Sequence, residues 1–169
     1  MRRFTLIAAV LAIAAASAAR AQTVPSCPTT ATLPDLMKAT DDAISGPGNK
    51  DRTCMRQLFT PDARLIPYAK GKDGNWAPHI LTIDDWITRV AQRGDKVFYE
   101  RQVKYSVEQY GHIAHIWSCY EVRETPDGKP MARGINSMQA VFDGRQWKFI
   151  QILWEQETPE EPLPSKYLP

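Results

Sequence analysis

Three segments in the last third of the chain show alternating apolar and polar residues, at positions 112–123, 131–142 and 146–156. A period of two is typical of strands with one buried face. Pro-Asp-Gly-Lys at 126–129 separates the first two segments, and Asp-Gly at 143–144, a strong hairpin signal, separates the last two. A fourth alternating segment begins at Val97. The pattern predicts an antiparallel meander.

Apolar residues at helical spacing predict three helices before the meander. The first follows Thr32 and ends at Gly46-Pro47-Gly48, and a short second helix ends at 60–62. A short strand at 63–67 follows, and the third helix runs from a capping box at Thr82 to Gly94. The elements indicate an α+β fold in which three N-terminal helices pack on an antiparallel sheet.

The first 21 residues have the pattern of a secretory signal peptide. Arg2 and Arg3 precede an apolar run at 6–19, and Ala19-Arg20-Ala21 fits a cleavage site. A retained N-terminal anchor is the alternative. Cleavage gives an extension at 22–31, one domain at 32–157 and a proline-rich tail at 158–169. This organisation predicts a periplasmic or secreted protein.

Charge and composition exclude several classes of function for the mature chain. Loss of the signal peptide removes Arg2, Arg3 and Arg20 from the 21 basic residues and none of the 19 acidic ones. Without a basic surplus or cluster, we expect no nucleic-acid partner. No later apolar run could span a membrane. Because no phosphate loop or nucleophile elbow is present, we expect no cofactor.

Three cysteines in an exported chain leave one over after any pairing. Cys27 lies in the N-terminal extension, Cys54 in the second predicted helix and Cys119 in the middle of a strand. The preferred disulfide joins Cys27 to Cys54, and three free thiols are the alternative. The cysteine spacings match no zinc site.

Several local sequences resemble the nuclear-transport-factor-2-like (NTF2-like) superfamily, and its bacterial SnoaL-like branch in particular. They are Leu-Phe-Thr-Pro-Asp-Ala-Arg-Leu at 58–65, Tyr-Glu-Arg at 99–101, the strand at 110–121, Arg-Gly-Ile-Asn-Ser at 133–137 and Gly-Arg-Gln-Trp-Lys at 144–148. The resemblance covers about residues 33–157. It implies a cone-shaped fold with a strongly curved sheet around the helices, a pocket at the wide end and a homodimer through the convex sheet face.

Alternation along the strands assigns side chains to the two faces of the sheet. The apolar face carries a polar set that could bind a small molecule in a largely apolar pocket. Its members are Arg101, Ser118, Tyr120 and Asn136. Arg101 could be the counter-ion of an anionic ligand or half of a structural ion pair. Tyr120 and Asn136 could equally be core groups with backbone partners.

Glu100 and His115 are the acid/base candidates by residue type, with Tyr120 as a third weak candidate. Strict alternation places Glu100 and His115 on the convex face, where a dimer interface or solvent would surround them. His112 and His115 point to opposite faces of a strand, so we expect no metal site.

Three functions fit these observations. The first is an exported protein that binds a small, partly apolar molecule, which would be anionic if Arg101 is its counter-ion. The second is an isomerase or dehydratase in which a carboxylate or histidine removes a proton next to a carbonyl group and Tyr120 stabilises the oxyanion. The third is a dimeric association module with a filled pocket. Because alternation puts no acid or base on the cavity side, the sequence favours binding.

Overall fold

A computed structural model describes residues 26–169. The predicted signal peptide, at 1–21, lies outside the described residues. Helix α1 spans Leu33–Ile44 and helix α2 spans Ile83–Ala91, with 3-10 helices at Thr53–Leu58 and Ser165–Tyr167. Both α-helices begin with a closed capping box, in which Thr32 pairs with Asp35 and Thr82 with Asp85. These boxes satisfy backbone N–H groups that a helix leaves free at its start.

The strands form one curved, seven-stranded sheet. They are β1 (Gly46–Pro47), β2 (Phe59–Lys70), β3 (Trp76–Pro78), β4 (Val97–Tyr110), β5 (Ile113–Arg123), β6 (Ala132–Phe142) and β7 (Trp147–Gln156). Their order across the sheet is β1-β4-β5-β6-β7-β2-β3. The predicted meander corresponds to β4 through β7, which pair antiparallel. β2 instead lies parallel to β7.

The core lies between the concave face of the sheet and the helical segments. Leu36 and Met37 of α1 and Met55 and Leu58 of the first 3-10 helix are almost completely buried against Phe149 and other concave side chains. α2 contributes Ile83 to the same cluster. Burial of these side chains, at about 25 cal/mol per Å² of apolar surface, holds the helices inside the curve of the sheet.

A disulfide between Cys27 and Cys54, the pair preferred from the sequence, ties the N-terminal segment to the first 3-10 helix. The third cysteine, Cys119, is a buried free thiol. Thr30 fastens the same segment to the sheet, because its backbone carbonyl accepts from the Trp147 amide at 2.7 Å and its hydroxyl donates to the Trp147 carbonyl at 2.7 Å.

Three N-terminal α-helices are not confirmed. The second helical segment is a single 3-10 stretch, and α2 follows β2 and β3 rather than preceding the sheet. The predicted strand at 63–67 is the middle of the much longer β2. Pro61 is tolerated inside it because a register irregularity interrupts the pairing with β7 there, and Pro67 because it precedes the three positions at which β2 pairs with the short β3.

The C-terminal tail crosses the convex face of the sheet. The ring of Tyr167 lies 6.2 Å from that of Trp117, and Lys104 Nζ donates to the Leu168 carbonyl at 2.9 Å. Within residues 26–169, no helix has both the length and the apolar character needed to cross a membrane.

Candidate active site

The end of α1 takes the place of a neighbouring strand along the outer edge of β4. β1 pairs with β4 at only two positions, so the next β4 residues need other backbone partners. The Ser45 hydroxyl accepts from the Glu100 amide at 2.9 Å and donates to the Glu100 carbonyl at 3.1 Å. Two residues on, the Gln102 amide donates to the Asp41 carboxylate at 3.1 Å. α1 therefore fixes the backbone that carries Glu100 and Gln102.

A β-bulge follows this anchored stretch of β4. Gln102 lies opposite Tyr120, whereas Lys104 lies opposite the adjacent residue Cys119, so Val103 is an extra residue. Since directly opposed residues share a face, even-numbered residues face the cavity before the bulge and odd-numbered residues do so after it. Strict alternation along β4 is thus the wrong description.

The bulge corrects two assignments made from the sequence. Glu100, placed on the convex face by alternation, lines the cavity. Arg101, placed on the cavity side, is exposed and lies on the outer surface beside Lys38 and Asp41. An arginine there keeps its hydration, so it needs no buried counter-ion and does not serve as the anchor of a ligand in the cone.

A cavity of about 220 Å³ lies between the concave face of the sheet and the helical segments. Its polar lining comprises Thr40, Arg93, Glu100, Gln102, Tyr120, Asn136 and Gln156. Its apolar lining includes Met55, Phe59, Leu65, Trp86, Met138, Ile152 and Trp154. At about 30 Å³ of liquid volume per water, the space corresponds to roughly seven waters. Such a cavity suits a small, mainly apolar molecule with few polar groups.

Gln102 is the centre of the polar network in this cavity. Its Nε2 donates to Asp41 Oδ1 at 3.2 Å and to Glu100 Oε1 at 3.5 Å. Its Oε1 accepts from Ser118 Oγ at 2.6 Å and from Asn136 Nδ2 at 3.0 Å. Ser118 and Asn136, two predicted ligand-binding residues, therefore lie on the cavity side, but both donate to Gln102.

The two carboxyl groups beside Gln102 hold protons more tightly than ordinary carboxyl groups. Burial, and then the negative charge of Asp41, raise the pKa of Glu100 to about 7, against the opposing effects of Gln102 and Arg93. Burial likewise raises the pKa of Asp41 to about 6, although hydrogen bonds from Gln102 favour its ionised form. A carboxyl group with a pKa near neutrality can both accept and return a proton under physiological conditions.

Tyr120 places a hydroxyl group beside Glu100 in the cavity. The side chain is 5% exposed, and within residues 26–169 its hydroxyl has no hydrogen-bond partner. Burial, and then the charge of Glu100, raise its pKa, so the hydroxyl stays protonated and can donate. Gly134 makes room for it, because a Cβ at that position would lie 2.5 Å from the tyrosine oxygen.

His115, the other acid/base candidate, lies away from this group. Its strand neighbours are Glu108 and Gln139, and its Nε2 is 3.1 Å from Ser137 Oγ on the convex side. The structure thus brings Glu100 and Tyr120 together and leaves His115 outside the cavity.

Sequence reasoning missed Asp41 and Gln102. One local signal was present: Asp41 and Asp42 occupy the last turn of α1, which contains no basic residue. Acids are unfavourable at this negative end of the helix dipole, so their presence indicates a role outside the helix. Gln102 carried no comparable signal, because its importance depends on a bulge that alternation does not reveal.

Comparisons with known proteins show the fold. No family model and no curated protein matches the chain. Among solved structures, an NTF2-like protein of unknown function from Silicibacter pomeroyi is 16% identical, with 74% of this chain and 92% of the other covered and a TM-score of 0.52. A protein of unknown function with a cystatin-like fold from Nostoc punctiforme is 16% identical, with 80% and 99% covered and a TM-score of 0.56.

A candidate ketosteroid isomerase from Parabacteroides distasonis is also similar in structure. It is 14% identical, with 76% of this chain and 91% of that chain covered and a TM-score of 0.50. Identities at this level establish the architecture and not the reaction. The chain has the curved α+β fold of NTF2-like proteins.

Proposed function

We propose that the protein binds a small, partly apolar carbonyl compound in the cone and moves a proton on it, as an isomerase or dehydratase does. The observation that carries this proposal is the meeting of Glu100 and the unpartnered Tyr120 hydroxyl in one largely apolar cavity. The sequence favoured binding over catalysis because strict alternation put no acid or base on the cavity side. With Glu100 in the cavity lining, that reason no longer holds.

The chemistry requires one base and one hydrogen-bond donor. The Glu100 carboxylate takes a proton from the carbon next to the carbonyl, and the electron pair moves onto the carbonyl oxygen. Tyr120 donates to the oxyanion that forms. In a β,γ-unsaturated carbonyl compound, return of the proton from Glu100 to the γ-carbon moves the double bond into conjugation and completes an isomerisation. In a β-hydroxy carbonyl compound, the enolate expels the hydroxyl group, which takes the proton from Glu100 and leaves as water, and this completes a dehydration.

Binding without chemistry is the second candidate, because the predominantly apolar lining suits a bound ligand whether or not a reaction follows. The third hypothesis, a filled pocket in an association module, is disfavoured by a cavity of about 220 Å³. Membership of the SnoaL-like branch is part of the proposal and is supported by the sequence resemblance and the fold.

Hydrogen–deuterium exchange tests the proposal without a known substrate. Cyclohexanone and 2-cyclohexenone are incubated with the protein in D₂O, and loss of the proton signals next to the carbonyl is followed by NMR. We expect exchange to be accelerated by the wild type and abolished in Glu100→Gln. Tyr120→Phe should slow it by roughly 10²-fold, since one oxyanion donor is lost.

His115→Asn is the matched control, because it removes the other acid/base candidate from the convex side and should leave exchange unchanged. Fluorescence of Trp86 and Trp154, which line the cavity, reports binding separately. Binding without exchange would leave a carrier as the function. If the protein binds no cyclic or linear ketone and accelerates exchange on none, the proposal is refuted.

Export to the periplasm or the outside of the cell is also proposed. The signal-peptide pattern supports it, as does the Cys27–Cys54 disulfide, since such bonds persist in oxidising compartments. The homodimer through the convex face stays a prediction. The tail covers part of that face, whereas Tyr110 and Ile113 are exposed near its other end, and light scattering of the purified protein would decide it.

A further inference from the structure

We propose that Asp41 is a positioning residue for Glu100: from the end of α1 it holds β4 in place, orients the Glu100 carboxyl group through Gln102, and sets its own negative charge close to that group. The inference rests on the proposed function, because it assigns the residue that prepares the base of that reaction. Asp41 itself lies beside the outer surface cleft and does not line the cavity.

Asp41 accepts two hydrogen bonds from Gln102. One carboxylate oxygen accepts from the Gln102 backbone N–H at 3.1 Å, and the other accepts from its side-chain Nε2 at 3.2 Å. The backbone contact satisfies an edge N–H of β4 beside the bulge. The side-chain contact determines which way the amide group points.

The orientation of the Gln102 amide is fixed from both ends. Ser118 and Asn136 donate to its oxygen, so the nitrogen must face the two carboxyl groups. One amide nitrogen with two hydrogens then serves Asp41 and Glu100 together. A Glu100 carboxyl held in this way presents a fixed direction to a ligand, which is a requirement for efficient proton transfer.

The charges around the pair determine where a proton resides. Glu100 faces Asp41 from α1, Arg93 from the segment after α2 and Tyr120 from β5. Asp41 is flanked by Asp42, which disfavours its ionisation, and by Arg101, which favours it. Burial raises the pKa of both groups, and the charge of Asp41 raises that of Glu100 further, so the pair loses its two protons in separate steps near neutral pH.

This arrangement also narrows the class of substrate. Around neutral pH the pair carries at least one negative charge, and Arg93 is the cation that lines the cavity within the described residues. Its guanidinium lies over the Phe98 ring, 4.4 Å from the centroid. Because the charge of Arg93 is offset by that of the carboxyl pair, the cavity has no surplus positive charge for the anionic molecule that Arg101 had suggested, and an uncharged carbonyl compound suits it better.

The test is an NMR titration of the protein labelled with ¹³C in its Asp and Glu carboxyl groups. Glu100→Gln identifies the Glu100 signal by its disappearance. In Asp41→Asn, which keeps an oxygen acceptor but loses the charge, we expect the Glu100 midpoint to fall by about one pH unit, a tenfold lower protonated fraction above the midpoint.

Asp42→Asn is the matched control. Asp42 is the next residue of α1, is exposed and pairs with Lys38 at 2.5 Å. Its removal should leave the Glu100 midpoint in place. An unchanged midpoint in Asp41→Asn, or an equal fall in both variants, would overturn the inference.

A second measurement needs no variant at position 41. In the wild type the Glu100 signal should show a second inflection where Asp41 titrates, because coupled groups report each other's ionisation; a single simple curve would count against the inference. The titration is independent of turnover. If ketone exchange requires Glu100 but the Glu100 midpoint does not move in Asp41→Asn, only the role of Asp41 is rejected. If the midpoint moves but the protein neither binds nor exchanges the ketones, the proposed function is rejected.

Discussion

The two sides of the sheet place glutamates in opposite electrostatic settings. On the concave side, Glu100 is buried next to Asp41, and its pKa rises to about 7. On the convex side, Glu157 forms an ion pair with Arg133 at 2.7 Å and accepts from the Leu163 amide at 3.2 Å. Those hydrogen bonds, led by that from Arg133, lower the pKa of Glu157. The surroundings, and not the residue type, decide which carboxyl group can exchange a proton near neutral pH.

Ionisation of the two glutamates has opposite effects on the stability of the folded chain. The Glu157 ion pair helps to hold the start of the tail against β6, so ionisation of Glu157 stabilises the folded chain. Glu100 is held in a place where its ionised form is unfavourable, which costs stability but supplies a base of useful strength. Four substitutions test this contrast.

The largest effect is expected for Glu100→Gln. The folded state binds the Glu100 proton more tightly than the unfolded state, so the wild type loses stability as the pH rises from about 4.5 to 7. The variant lacks this loss and should be about 2 to 3 kcal/mol more stable than the wild type at pH 8, with little difference at pH 4. Urea unfolding at both pH values measures it, and a less stable variant at pH 8 would contradict it.

Gly134→Ala should destabilise the concave side of the sheet through packing. The added Cβ would lie 2.5 Å from the Tyr120 oxygen and also press on the Glu155 carbonyl. Backbone cannot move away as a flexible side chain can, so we expect a loss of about 1 to 3 kcal/mol in the free energy of unfolding. Gln139→Ala, at an exposed convex position of the same strand, should change it by less than about 0.5 kcal/mol. Equal effects would mean that Tyr120 is not confined.

The sequence predicted most of the architecture, and among the residues in and around the cavity it singled out Glu100, Tyr120 and Asn136 but neither Asp41 nor Gln102. The meander was visible because β5 and β6 alternate without interruption through Ser118, Tyr120 and Asn136. β4 also alternates, but its bulge directly follows Gln102, whose amide donates to Asp41, 61 residues away in the sequence. The bulge leaves no signal in the alternation of β4 itself, so Glu100 and Arg101 were assigned to the wrong faces.

Glu157→Gln tests the convex side with the opposite dependence on pH. Since the folded pKa of Glu157 is lowered, its contribution is present above the unfolded pKa and is lost as the pH falls through the folded pKa. The side chains of the pair are partly exposed, so we expect a loss of about 1 kcal/mol at pH 7 and no loss in strong acid. Chemical unfolding across this range would show whether the sign differs from that of Glu100→Gln.

Tyr167→Ala should have the smallest effect and tests whether the tail rests on the convex face in solution. The Tyr167 ring makes a single ring contact with Trp117, with the centroids 6.2 Å apart. The loss in the free energy of unfolding should therefore be below about 1 kcal/mol. Greater water access to Trp117 should move its fluorescence to longer wavelength. Because the chain has five tryptophans, the Trp117 emission is taken as the difference between each protein and the same protein carrying Trp117→Phe. Tyr110→Ala, at an 86% exposed position of β4, is the control and should leave that emission unchanged. An emission that shifts in neither variant would mean that the tail does not cover Trp117, and that the convex face is open to a partner along its full width.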